Sequence, residues 1–331
     1  MNLMLTQKKI HTLILLLTLI GGVQAQQDAV FSQFYANPLY LNPALAGNGD
    51  CMRAIVSYRN QYPNIPDTYI DYNLGIDGYL PFLHGGIGIL LESDRKGNDT
   101  FVTNNISGIY AYQMMLSSHT ALNAGFQIHY RQYSFQGNDL IFQDMIDHNS
   151  GLVNPVSGDI GASGFSSRNI DYSAGMFFDF SEKYFLGISA HHLTEISTPY
   201  YPEDNKNYLK RKYSIHGGMN IPLYMSYYRM QLSPNFIVQL QNEILRINGG
   251  FNFTYWMFTA GLWYHNVKNT SESLIGIIGI NTGKIKLGYS YDFVLSGLSG
   301  ASGGSHEISL SYHFLCVEKK HKKNTINCPE F

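Results

Sequence analysis

Leu122-Asn123-Ala124-Gly125-Phe126-Gln127-Ile128-His129-Tyr130-Arg131 decides the fold. Successive side chains of an extended strand point to opposite sides. Leu122, Ala124, Phe126, Ile128 and Tyr130 therefore share one face, and Asn123, Gly125, Gln127, His129 and Arg131 share the other. Strict alternation of this kind is the mark of a strand with two unlike surroundings. The same pattern returns in Leu245 to Thr254, in Lys284 to Phe293 and in Glu307 to Phe314.

Working outward, about fourteen such segments can be placed, each near the nine to eleven residues that a tilted membrane-spanning strand needs. They cover 51–60, 68–80, 85–93, 102–115, 119–132, 171–181, 184–193, 209–221, 227–240, 244–254, 257–266, 273–281, 284–294 and 305–314. Ser273 to Asn281 is apolar on both faces, which calls for something apolar inside the lumen. Tight connectors at 81–84, 117–118, 182–183, 255–256 and 282–283 alternate with long ones at 133–170, 194–208 and 295–304. Short periplasmic turns and long outer loops are the habit of outer-membrane barrels. Closure also pairs every backbone N–H and C=O without water, as lipid demands. The expected fold is thus an all-β outer-membrane barrel of about 14 antiparallel strands. The rival, a secreted β-sandwich, gives no reason for so many Tyr and Phe on the faces away from the charges.

Composition agrees. Only 14% of residues are charged and 14% are aromatic, with 25 Tyr, 19 Phe and 32 Gly; a soluble domain carries roughly 25% charge. A net charge of −2 offers nucleic acid no basic surface. Lys8 and Lys9, the apolar run Ile10 to Ile20 and Val23-Gln24-Ala25 form a cleavable signal peptide over residues 1–25. An uncleaved anchor is the alternative. No Cys follows the cleavage site, so a lipoprotein anchor is not expected.

The expected domains are the signal peptide, an N-terminal segment 26–50 packed in or under the periplasmic mouth, the barrel 51–314, and a basic periplasmic tail 315–331. Asn37-Pro38 and Asn42-Pro43 bias the N-terminal segment to turns and extended backbone. The lumenal face carries Asp71, Asp77, Glu92, Arg131, Lys212, His216, Arg229, Arg246 and Glu307. Mixed signs imply internal ion pairs or a hydrated interior rather than a selectivity ring of one sign. A lumenal change such as Asn123→Arg is expected to matter much less than Phe126→Arg on the lipid face.

Motifs for chemistry are weak. Gly300-Ala301-Ser302-Gly303-Gly304 matches a nucleophile-elbow pattern but lacks the strand-to-helix setting, so a flexible loop is expected. His191 and His192 are adjacent on a strand, which sends one to the lumen and one to the interface. Asp144, Asp147 and His148 cluster in the long loop and leave weak Ca²⁺ binding open, although no calcium-loop pattern is present. No catalytic residue, cofactor site or metal site is assigned. Cys316 and Cys328 can pair in an oxidising periplasm or remain two free thiols. Candidate partner-binding residues are the loop aromatics Phe142, Phe165, Tyr200 and Tyr201. Lys319, Lys320, Lys322 and Lys323 of the tail are further candidates, for a docking peptide as against a plain solvated end.

Phe31-Ser32-Gln33-Phe34-Tyr35-Ala36-Asn37-Pro38-Leu39-Tyr40-Leu41-Asn42-Pro43-Ala44, followed by Tyr58-Arg59-Asn60-Gln61-Tyr62-Pro63, resembles the PorP/SprF family of type IX secretion system outer-membrane proteins. So do Gly288-Tyr289-Ser290-Tyr291-Asp292, the stretch Gly304 to Tyr312, and the Cys-containing basic tail. Tyr62 in place of Trp and an unpaired Cys51 depart from the pattern. The resemblance implies an accessory component of type IX secretion and gliding machinery that supports export or surface attachment of particular cargo proteins, such as adhesins. Its implied partners are a secreted cargo protein, the periplasmic ring of the machinery and the lipid bilayer. A pore or small-molecule transporter of the outer membrane is the alternative, and an enzyme is not expected.

Overall fold

The computed structural model describes residues 28–49, 51–66, 69–137, 140–147, 150–158, 164–181, 183–196, 208–223, 230–268, 271–295 and 301–316. Alternation becomes strand throughout. In chain order these are β1 (Met52–Gln61), β2 (Tyr69–Leu80), β3 (Gly85–Lys96), β4 (Phe101–Ser117), β5 (Thr120–Phe135), β6 (Phe165–Phe180), β7 (Tyr184–His191), β8 (Lys212–Met219), β9 (Ile221–Leu223), β10 (Met230–Gln241), β11 (Ile244–Tyr255), β12 (Phe258–Val267), β13 (Ser271–Asn281), β14 (Ile285–Val294) and β15 (Ser305–Phe314). β8 and β9 are two pieces of one spanning strand, so the ring has fourteen antiparallel strands. Both pieces lie on β10 in a single register, Gly218 opposite Asn235 and Ile221 opposite Leu232. The break between them faces Pro234, which has no N–H to give the ladder. β15 pairs back onto β1, with Met52 opposite Phe314 and Gln61 opposite Ser305, and closes the barrel.

Facing follows the pleat. On β5 the lipid-facing Phe126, Ile128 and Tyr130 are exposed, while Asn123, Gln127, His129 and Arg131 on the other face are buried. Buried polar residues inside a barrel need something to bury them, and here it is the chain's own N-terminal segment. Three short helical turns, Phe34–Ala36, Pro38–Leu41 and Pro43–Leu45, fill the lumen. Asn37 (ψ 65) and Asn42 (ψ 121) avoid the helical region, as a residue before proline must. Pro38 and Pro43 then each open a turn at its first position, where a missing N–H costs nothing.

The structure departs from the sequence reading in several places. The N-terminal segment runs through the lumen itself rather than resting at the mouth. Cys316 is bonded to Cys51, so it is not the partner of Cys328. The cause is barrel closure: β1 and β15 are neighbours, and the residues flanking their ends meet at the seam. His191 and His192 are both buried inside. β7 ends at His191, and His192 has a positive φ of 60°, which breaks the alternation. β6 starts at Phe165, earlier than expected, because Ser166-Ser167-Arg168-Asn169 is polar on both faces and shows no alternation. The signal peptide, His148, Arg229, Tyr200, Tyr201, Lys319, Lys320, Lys322, Lys323 and Cys328 lie outside the described residues.

Candidate functional site in the filled lumen and at the outer rim

Connector lengths assign the two ends of the barrel, with the long loops outside. The lumenal segment enters at the outer end and leaves at the periplasmic end. Its outer end is polar. Asp28 accepts from His192 Nε2 at 2.7 Å and from Lys212 Nζ at 2.7 Å, and Arg131 lies 3.8 Å away. His192 Nδ1 is held in turn by Asp171 at 2.7 Å. Burial penalises the charge of the Asp28 carboxylate, and His192, Lys212 and Arg131 close around it in compensation. The Lys212 ammonium also sits 4.7 Å over the Tyr40 ring, whose hydroxyl donates to the Ala29 carbonyl.

A second clamp follows in sequence. The backbone N–H groups of Ser32 and Gln33 donate to the two Glu307 carboxylate oxygens at 2.6 and 3.1 Å. The Ser32 hydroxyl donates to Asp292, and Arg59 bridges Asp292 and Glu307 from β1. Of the lumenal charges, Asp77, Arg131, Lys212 and Glu307 are thus spent on ion pairs with the segment or with neighbouring wall residues. Two cavities beside the segment measure about 10 and 20 Å³. A cavity near 10 Å³ holds at most a single water.

Beyond Gln33 the filling turns apolar. Phe34, Tyr35, Leu41, Ala44 and Leu45 pack against Phe177, Phe185, Ile237, Trp263, Ile275 and Ile277 of the wall. Ile275 and Ile277 belong to the stretch whose two apolar faces called for a lumenal partner, and the segment is that partner. At the periplasmic end Asn123 donates to the Ala44 carbonyl, and the Gly47 N–H donates to Asp77, which Arg53 also grips. Gly125 allows this approach: a Cβ there would run into the backbone of Pro43 and Ala44. Asn123 is fully buried against the segment, so Asn123→Arg, expected from its face alone to be mild, is now expected to be disruptive.

The remaining sites carry structure. Ser302 is buried and bonded to the Gly304 N–H, with Asn64 donating to its carbonyl. Asp144 accepts from the Ser157 hydroxyl and the Gly158 N–H, which hold its carboxyl below the ordinary value and tie the outer loop. Among the described residues no group of three or more metal-binding side chains occurs. Phe165 ends a row of rings at the outer rim, stacked 5.2 Å from Phe135, which lies 5.0 Å from Phe101. Phe142 is half-buried in the loop between β5 and β6, apart from that row. The same loop exposes Ile141, Leu152 and Val156. Asp28 and Phe101 were missed: Asp28 precedes any alternation, and Phe101 is one ring among many. On the wall, a groove of about 430 Å³ lies beside Pro234, lined by Phe180, Tyr184, Leu186 and Phe236.

A family model described as "Type IX secretion system membrane protein PorP/SprF" matches residues 23–312. Among curated proteins no relative matches the chain. Solved structures similar to it include Omp33 of Acinetobacter baumannii, at 6% identity and TM-score 0.46, covering 80% of this chain and 100% of that one. The toluene transporter TodX of P. putida is similar at 8% identity and TM-score 0.48, covering 82% and 92%. A Pseudomonas aeruginosa FadL homologue is similar at 11% identity and TM-score 0.44, covering 84% and 94%. At such identities nothing about substrate follows.

Proposed function

The chain belongs to the type IX secretion system membrane protein PorP/SprF family, and from that premise we propose that it is an outer-membrane accessory component supporting export or surface attachment of specific cargo proteins, adhesins of the gliding machinery among them. The observation that carries this reading is the filled lumen. A general pore needs an open, hydrated path, whereas here the segment 28–49 spans the interior and engages Arg131, His192, Lys212 and Glu307 of the wall. What is left for function is the outer rim and its loops, where exposed Ile141, Leu152 and Val156 and the Phe165 row offer apolar contact beyond the membrane. The tail lysines Lys319, Lys320, Lys322 and Lys323 supply a basic, salt-sensitive contact for the periplasmic ring. Catalysis forms no part of the proposal, since Ser302 is spent on its own loop.

The transporter reading has one observation in its favour, the apolar groove beside Pro234. Surface proteomics of a gene-deletion strain separates the two. The cargo reading expects one or a few proteins to vanish from the surface while other secreted proteins stay. An unchanged surface proteome together with lost uptake of a small apolar solute contradicts it and favours transport.

A further inference from the structure

The outer rim is uneven. β6 is paired with β5 along its whole length, from Phe135 opposite Phe165 to Thr120 opposite Phe180. Its other neighbour, β7, is short, and the pairing between them begins only at Ala174 opposite Ala190. From Phe165 to Ser173, roughly 25 Å at strand rise, no strand lies on that side among the described residues. Leu193 donates to the Tyr172 carbonyl, which shows that the even-numbered residues of β6 aim their backbone groups at the open side. The groups of Ser166, Arg168 and Ile170 come next along that edge.

An open edge cannot stand in hydrocarbon, and the outward-facing side chains show where the hydrocarbon stops. Ile106, Tyr130 and Ile170 form one cross-strand row on the lipid face. The row immediately above is Asn104, Gln132 and Arg168. The lipid face changes from apolar to polar between these rows, so along the open edge Ser166 and Arg168 lie beyond the hydrocarbon and Ile170 at its boundary.

We infer that the edge of β6 from Ser166 to Ile170 is a strand-addition site, taking an extended segment of a secreted partner protein. This rests on the cargo reading above. A ladder of backbone donors and acceptors accepts an extended chain, and unprotected edges are otherwise blunted or covered. The described ends of the connector after β7 turn inward, away from it. Glu195 adopts φ 44°, and Ile196 and Leu209 bury against Tyr133 inside the rim, joined by a hydrogen bond from Leu209 to Ile196. The stretch between them carries Pro199 and Pro202, which offer no N–H. A second copy in the same membrane fits badly. Strands tilt about 35–45° from the normal, so a two-fold axis along the normal crosses two β6 strands at roughly twice that angle.

Two measurements test this. In purified full-length protein, amide exchange is expected to be fast at Ser166, Arg168 and Ile170 and slow at Ser167 and Asn169, whose N–H groups face β5. Slow exchange at all five means that the protein's own chain covers the edge, and overturns the inference. In cells, the proteins lost from the surface on gene deletion serve as the probe. Arg168→Pro removes one edge donor and is expected to lower their surface level at least tenfold. Arg168→Ala keeps the donor and is expected to stay within twofold of wild type, both variants retaining a heat-modifiable barrel. If Arg168→Pro fails to assemble, Ser166→Pro, farther from the bilayer, takes its place. Equal losses in the Pro and Ala variants would assign recognition to the side chain and reject strand addition. A proline variant at wild-type surface level, with the deletion strain still deficient, rejects the edge and leaves the cargo reading standing. A deletion strain with an unchanged surface removes both.

Discussion

The two ends of the lumenal segment are held to the same wall by opposite physics. At the outer end Asp28, Ser32 and Gln33 are gripped by charged groups from several strands. At the periplasmic end Ala44 and Gly47 lie against the inner wall at Gly125 and Asp77, with few charges involved. Shape can only fill where the wall carries glycine or small residues; charge works where it carries long side chains. The outer end is therefore a clamp that can fail one contact at a time, and the periplasmic end is a fit that fails all at once.

That contrast can be broken most severely at Gly125. Gly125→Leu puts side-chain atoms where the backbone of Pro43 and Ala44 lies. No rotamer relieves it, because the clash begins at Cβ. We expect almost complete loss of heat-modifiable barrel, the species that migrates differently before and after boiling, whereas Ala124→Leu on the lipid face keeps it. Equal yields would mean that the segment is not seated there.

Asp28→Ala probes the clamp. It leaves His192, Lys212 and Arg131 around an empty acceptor. Breaking a buried ion pair from one side costs about 3–5 kcal/mol. Denaturant unfolding of the purified barrel measures it. A loss below about 1 kcal/mol, the scale of an exposed pair, would reduce the outer clamp to a bystander.

Asn42→Ala is the mildest of the three. Its side chain accepts from the Ala44 N–H to open the last turn, and donates to the wall at the Met176 carbonyl. Losing such a cap costs about 1 kcal/mol. A loss as large as that of Asp28→Ala in the same assay would show that turn geometry, and not charge, seats the segment.

The barrel was legible in the sequence because a wall between lipid and lumen imposes period two on every spanning strand. Phe126 against Gln127, or Leu287 against Ser290, carries the whole argument locally. Legibility fails wherever the two faces become alike. Ser166 to Asn169 stand in water on both sides, so β6 appeared to start later than it does. Contacts far apart in the chain were hidden for another reason. Nothing local to Cys51 names Cys316 as its partner; only the pairing of β1 with β15 does. Asp28 lies in a segment without periodicity, and its three basic partners come from loops and strands more than a hundred residues on. The double apolar face of Ser273 to Asn281 was the one local hint that the lumen is occupied, since Ile275 and Ile277 need a partner there.

The central claim is that this lumen is closed by the chain's own N-terminal segment. Single-channel recording of the purified full-length protein in a planar bilayer tests it most directly. The account predicts insertion without a steady conductance, because the interior is filled from the Asp28 clamp to the Asp77 end. A stable open channel from protein that is folded and retains residues 28–49 would contradict it.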